Sequence, residues 1–251
     1  MKLKDIFFQS DYVGQGLYTY DKYLSSIENI KTMEELVENE IAINKVASNE
    51  KVINAIAKSE VAMNAVANSE TAMDVMVSNQ LSMDAIFNNK EAMKEVAQSV
   101  LAIDKITSSE VATNTLIKSE IALDAIFSSP VAKLAIFGKD IITSAIANNI
   151  SVIEWLVNNK GIETSFYMGD NPPPRTITEK KALLLRWKST APTSSRLYSF
   201  STRVGSVGEI TGSQAPPTNE WKDNVMMCEP LVMKRTGVGT TNPYVIYIPM
   251  E

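Results

Sequence analysis

Glu209, Glu220, Asp223 and Glu229 are the carboxylates that stand near one another towards the end of the chain. A pair of carboxylates suffices for glycoside hydrolysis, because one protonates the leaving oxygen while the other attacks or activates water. No spacing singles out such a pair here. The chain contains no histidine at all, which removes the commonest general base, the commonest zinc ligand and the usual partner of a nucleophilic serine or cysteine. Its one cysteine, Cys228, excludes an intrachain disulfide and a multi-cysteine metal site. Gly205-Ser206-Val207-Gly208 and Gly237-Val238-Gly239 lack the strand-to-helix setting of a phosphate loop and read as turns. No catalytic residue, cofactor or metal site emerges, and the chain is expected not to be an enzyme.

Binding chemistry is better represented. Trp187, Tyr198, Trp221, Tyr244 and Tyr247, with Phe200, are candidates for an aromatic platform on which the apolar faces of sugar rings stack. The competing use for such rings is the core of a small domain. Arg186, Arg196, Arg203, Lys234 and Arg235 give the same region a slightly basic surface, facing acidic glycans or solvent. Over the whole chain the formal net charge is −5, and the scattered basic residues lack the footprint of a nucleic-acid binder. No apolar run approaches the roughly twenty residues of a membrane span. Asp5, Gln9, Ser10 and Asp11 interrupt the start before a signal-peptide core forms, so no Sec-type export is expected.

These side chains need elements to hold them, and most of the chain is built on a repeat. From about residue 31 to 160 the sequence realigns with itself every ten residues, as in VAMNAVANSE, TAMDVMVSNQ, LSMDAIFNNK and IALDAIFSSP. Position six is always aliphatic, from Leu36 and Val46 to Ile126 and Leu156, and position two is usually alanine. A ten-residue period fits neither the seven nor the eleven of a continuous supercoiled helix, so each unit contains its own break. Position nine is Ser or Asn almost throughout, which is N-cap chemistry. Position ten is often Glu, suited to the positive end of a helix dipole, and once Pro130, favoured in a first turn. Gly138 falls at position eight, where a left-handed C-terminal residue is wanted, and Asn68, Asn88 and Asn148 would tolerate that conformation. Each unit is therefore expected to be a two-turn helix from position ten to position seven. Such a helix is marginal alone, so stacked units must bury one another's surface in a solenoid.

The Asn/Asp series at position four (Asn44, Asn54, Asn64, Asp74, Asp84, Asp104, Asn114, Asp124) is either a ladder for cations or a partner's backbone, or a solvated stripe satisfying nearby corners. Lys94, Leu134 and Ser144 interrupt it.

Composition changes after Gly161. Nine of the 10 prolines lie beyond residue 170, beginning with Pro172-Pro173-Pro174. Leu197–Ser201, Asn224–Met233 with a break at Pro230, and Tyr244–Ile248 read as strands, while Lys181–Lys188 is compatible with helix or strand. The expected class is α+β and multidomain: residues 1–30 an N-terminal cap or docking segment, 31–160 an α-helical solenoid of short ten-residue repeats, 161–175 a Pro-rich linker, and 176–251 a small antiparallel β-sandwich or barrel.

The units ANSETAMD, AKSEVAMN and KSEIALDA resemble the short-helix arrays of tailed-bacteriophage virion proteins of the tail-fibre or structural type. The resemblance covers about half the chain and implies a virion component that carries no catalytic residues. Its implied partners are other virion proteins and a host cell-surface glycan or protein, with a homotrimer among the assemblies common to fibres, and without nucleic acid or membrane insertion. It implies a stiff stalk with a terminal β-domain that attaches to virion or host surface, or a capsid, neck or head-fibre decoration protein. Outside that class the alternatives are a cytoplasmic repeat scaffold binding another protein and a glycan-cleaving enzyme.

Overall fold

A computed structural model of the chain describes residues 30–170, 172–189, 197–201, 210–214, 220–236 and 241–251. It divides into two compact units, Met1–Ala135 and Ile136–Glu251. The expected N-terminal cap, apart from Ile30, lies outside the described residues.

Thirteen helices follow one another among the described residues: α1 Met33–Val37, α2 Glu40–Ala47, α3 Glu50–Ala57, α4 Glu60–Ala67, α5 Glu70–Val77, α6 Gln80–Phe87, α7 Lys90–Val96, α8 Val100–Ser108, α9 Glu110–Leu116, α10 Glu120–Ser128, α11 Pro130–Ile136, α12 Asp140–Ala147 and α13 Ile150–Asn159. The breaks fall where the cap chemistry places them. Ser69 is extended at φ −104°, ψ 123°, and its hydroxyl accepts the amide of Ala72. Asn39, Asn49, Asn79 and Asn89 do the same with their side-chain carbonyls. Lys139, at position nine before α12, makes no side-chain cap. At the other end, Gly138 adopts the left-handed conformation at φ 83°. Asn68, Asn88 and Asn148 do not, having φ of −107°, −92° and −85°. Their helices close instead on a backbone N–H that reaches back to positions four and six, as Asn68 does to the carbonyls of Asn64 and Val66, so no left-handed residue is required.

In the first unit, positions two, three, six and seven point inward, as with Ala62, Met63, Val66 and Ala67, all fully buried. Side chains four apart share a helix face, so these positions form one wide apolar stripe. Position one lies outside that stripe, and Ile41 is 72% exposed. Adjacent helices pack on one another, but the stacking that buries their surface reaches further along the chain. Contacts are broadest with the helix three places along: α4 on α7, α6 on α9, α2 on α5 and α3 on α6. Three helices make one coil, and helices starting at Glu60, Lys90 and Glu120 stack thirty residues apart.

The coils are joined by the cap residues themselves. The Ser99 hydroxyl accepts from Ala102 N at 3.2 Å and donates to the Ala67 carbonyl of the previous coil at 2.5 Å. Ser69, Ser109, Ser119 and Ser129 repeat this with Val37, Val77, Phe87 and Ala97. A hydroxyl can accept and donate at once, whereas an amide carbonyl only accepts. Where Asn79 takes the cap, the donor moves to Ser82, whose hydroxyl reaches the Ala47 carbonyl at 3.1 Å; Ser82 occupies a position that is elsewhere mostly alanine. Ser119→Ala is expected to cost about 1–3 kcal/mol, because it removes a cap and strips a buried carbonyl of its donor. Ser82→Ala removes only the latter and should cost about 1 kcal/mol. Urea denaturation of both variants checks the order, and equal midpoints for Ser119→Ala and the parent would refute the double role.

Among its described residues the second unit holds two four-stranded antiparallel sheets, and neither closes into a barrel there. Strands β1 Ile162–Ser165, β8 Pro243–Pro249, β3 Ala182–Ser189 and β6 Lys222–Cys228 form the first in that order. Strands β2 Arg175–Thr178, β7 Leu231–Thr236, β4 Leu197–Ser201 and β5 Ile210–Gln214 form the second. Residues 162–165, inside the stretch expected to be linker, are thus an edge strand paired with β8, and Met168 bridges Thr241.

One core joins Ala182, Leu184, Trp187, Met226, Cys228 and Val245 of the first sheet to Leu231 and Met233 of the second. The other face of the first sheet is buried as well: Leu183, Leu185 and Ile248 are covered, and α12 packs on β6. A strand covered on both faces reads as a continuous apolar run rather than an alternation, which is why Lys181–Lys188 is ambiguous as a sequence. Gly161 sits where α13 meets β8, and a Cβ there would lie 2.6 Å from Ile246 Cγ2 and 2.8 Å from the Val157 carbonyl. Gly161→Ala is expected to lower stability by about 1–3 kcal/mol through overpacking, measurable as a shift in thermal midpoint.

Candidate ligand-binding surface

The five aromatic candidates separate once the sheets form. Against β8 the register shifts between Leu184 and Arg186, so Leu185 is the additional residue of a bulge in β3. A bulge re-aims the side chains that follow it. Leu184 and Trp187, three apart, both enter the shared core, and Trp187 is only 2% exposed. Arg186 and Lys188 turn to the opposite face, partly exposed. Tyr247 packs against the shared core. Tyr198 lies in the second sheet, opposite Gln214 and Arg235.

Trp221 and Tyr244, both partly exposed, are brought together by Lys188. Tyr244 is the Cα partner of Lys188 across β3 and β8, and Trp221 immediately precedes β6 on the other side of β3. The Lys188 ammonium sits 4.3 Å from the Trp221 ring centroid and 4.9 Å from that of Tyr244, within cation–π range of both. Beside this cluster, Arg186 Nε donates to Asp223 Oδ1 at 2.9 Å. Lys188 is the residue that inspection of the chain for aromatic platforms passes over, since a lysine in a strand carries no signal of what flanks it.

The carboxylates are dispersed in role. Asp223 is engaged by Arg186, Glu229 forms the peptide preceding Pro230 between β6 and β7, Glu220 is exposed before β6, and Glu209 lies outside the described residues. So do Arg196, Arg203 and the two glycine-rich stretches at 205–208 and 237–239. Arg235 is buried, and its Nη1 donates to the main-chain carbonyls of Met168 and Gly169. Among the described residues no group of three or more His, Cys, Asp or Glu could hold a metal ion. No helix there is long and apolar enough to cross a membrane.

The position-four stripe is engaged in local and coil-to-coil bonds. The Asn44 and Asn54 amides donate to the carbonyls of Glu40 and Glu50, and that of Asn64 to Glu95 one coil on. Asp74 and Glu70 both meet Lys105, at 2.7 and 2.9 Å. The hydrogen bonds that Lys105 donates to these two carboxylates, Asp74 first, hold its pKa above the ordinary lysine value.

Cys228 is fully buried in the shared core, and burial pushes its thiol pKa up to about 12. The thiolate is the reactive form, so the native protein at pH 8 is expected to resist a disulfide reagent such as DTNB and to react promptly once denatured. Stoichiometric labelling of the folded protein would contradict this.

Comparison with known proteins adds little. No family model matches the chain, and no curated protein matches it. Among solved structures, it is similar to a chain described under "Bacillus endospore appendages form a novel family of disulfide-linked pili", at 10% identity and a TM-score of 0.24, over 37% of this chain and 90% of that chain. A likeness at this level carries no argument.

Proposed function

We propose that the chain is a non-catalytic structural component of a bacteriophage virion, of the tail or fibre type, in which the helical repeat serves as a stiff spacer and the β-rich unit attaches to virion or host surface. The observation that supports this most is the serine ladder. Each coil hydrogen-bonds the one before it through buried hydroxyls, so packing within the repeat does not by itself require trimerisation. Repeats of this kind contact only their neighbours, which suits a spacer of fixed dimensions. The ten-residue units and their resemblance to phage virion arrays supply the virion assignment.

A second reading, a repeat scaffold that binds another protein, draws on the exposed aliphatic residues at position one, among them Ile41, Val61 and Val111. Mass spectrometry of purified phage particles separates the two. The chain is expected among the virion proteins in stoichiometric amount, and immunogold labelling would then distinguish tail from capsid or neck. Recovery of the chain only from the soluble lysate, bound to another protein, would replace the virion reading with the scaffold.

A further inference from the structure

Three donor-bearing side chains lie together at the first sheet. They are the Lys188 ammonium, the Trp221 indole N–H and the Tyr244 hydroxyl, and among the described residues none has a hydrogen-bond or ion-pair partner. The neighbouring cation, Arg186, is already paired with Asp223 through its Nε. Lys188 is held differently: two ring faces fix its position and supply no acceptor oxygen. An ammonium carries three N–H donors. The two rings can engage two of them, leaving a donor for an anion from solvent.

We propose that Lys188, Trp221 and Tyr244 form a binding site for an acidic saccharide. The sugar carboxylate pairs with the Lys188 ammonium, an apolar ring face stacks against the Trp221 indole, and sugar hydroxyls accept from the indole N–H and exchange a hydrogen bond with the Tyr244 phenol. A neutral sugar uses the stack and the hydroxyl partners but leaves the ammonium without its anion. A small inorganic anion meets the ammonium and leaves both rings bare. The bulge at Leu185 is what makes the site possible, since it sends Trp187 into the core and Lys188 out between the rings. The proposal rests on the reading of the β-rich unit as the attaching part and names the chemistry it would attach to.

Isothermal titration of the full chain with an oligogalacturonate, with its neutral methyl ester and with inorganic sulfate tests the site, and a sialylated oligosaccharide provides a second acidic probe. The acidic saccharide is expected to bind more tightly than the ester by about tenfold, the scale of one charge-assisted hydrogen bond, and to weaken as salt is added. K188Q should bring the acidic ligand down to the affinity of the ester while leaving the thermal midpoint in place. Y244F, which keeps the ring, should lose less than K188Q, and W221A should lose both ligands. Failure of both acidic saccharides to bind, equal affinity of K188Q and the parent, or sulfate binding as tightly as the saccharide would each overturn the site. A chain present in particles that fails these titrations sinks the site and spares the virion reading. A chain that passes them but is absent from particles does the reverse.

Discussion

Ile126→Asp is expected to unfold the repeat around α10, with a loss of about 4 kcal/mol or more in the first unit. Ile126 sits at position six of α10 and is fully buried. Its helix packs on α7, the helix one coil back, as well as being tied to that coil by the Ser119 hydroxyl. An ionised carboxylate there loses its water and meets only apolar side chains, so it folds only by taking up a proton. The deficit should therefore be larger at pH 7 than at pH 4: the raised folded-state pKa makes the unfolded form bind fewer protons than the folded one above about pH 4. Ile126→Val, which removes one methylene and no polarity, should cost only about 0.5–1.5 kcal/mol. Circular dichroism and urea denaturation measure both. Because each coil contacts only its neighbours, the aspartate variant should lose helical signal locally, in a transition broader than that of the parent. Unchanged helicity and midpoint in Ile126→Asp would refute the inward placement of position six.

Arg235→Met is expected to destabilise the second unit by about 2–3 kcal/mol. Arg235 belongs to β7 and is 2% exposed, with Nη1 donating to the carbonyls of Met168 and Gly169. That segment is also pinned by its reciprocal bridge to Thr241, at 2.9 and 3.0 Å, and the Thr241 and Ser189 hydroxyls lie 2.6 Å apart beneath it. Methionine fills much of the space and removes a buried charge, which by itself is a gain, but it takes the guanidinium donor from the Gly169 carbonyl and leaves that of Met168 with the Thr241 N–H alone. Arg235→Lys is the more informative partner. It keeps the charge and loses the planar fork, so a compact ammonium is buried without reaching both carbonyls, and the expected loss equals or exceeds that of the methionine variant. Chemical denaturation of both proteins checks the order. Full stability in Arg235→Met would mean the guanidinium is dispensable, and rescue by lysine would mean that charge rather than geometry is what the segment needs.

Much of the first unit was open to inspection of the chain because helix capping is local. A serine or asparagine at position nine meets an amide three residues on, so Ser69 and Asn79 announce their boundaries without reference to anything distant. The second half of the same serine's work was hidden. Whether Ser99 donates to Ala67 depends on how the chain turns at three successive corners, which no ten-residue window contains. Ser82 shows the cost of this blindness. As an isolated serine at an alanine position it looks like noise, yet it supplies the donor that Asn79 cannot.

The candidate site was legible only in part. Trp221 and Tyr244 were among the expected aromatic residues, but Trp187 and Tyr198 looked equivalent to them, because period-two alternation carries no information about a bulge yet to form. Arg235 looked like the other basic residues of its region, since nothing in its immediate neighbours marks it as a core residue.

The chain by itself determined what depends on contacts within about one helical turn: the ten-residue unit, the caps, the inward face of each helix and the approximate limits of three strand regions. Tertiary structure decided which carbonyl each serine hydroxyl meets, that three helices rather than two or four complete a coil, and which aromatic rings reach the core or the surface around Lys188. The physical reason is the range of the forces involved. A cap is closed by the residue that makes it, whereas the bridging of coils and the phase of a bulged strand are fixed by groups some thirty or more residues away along the backbone.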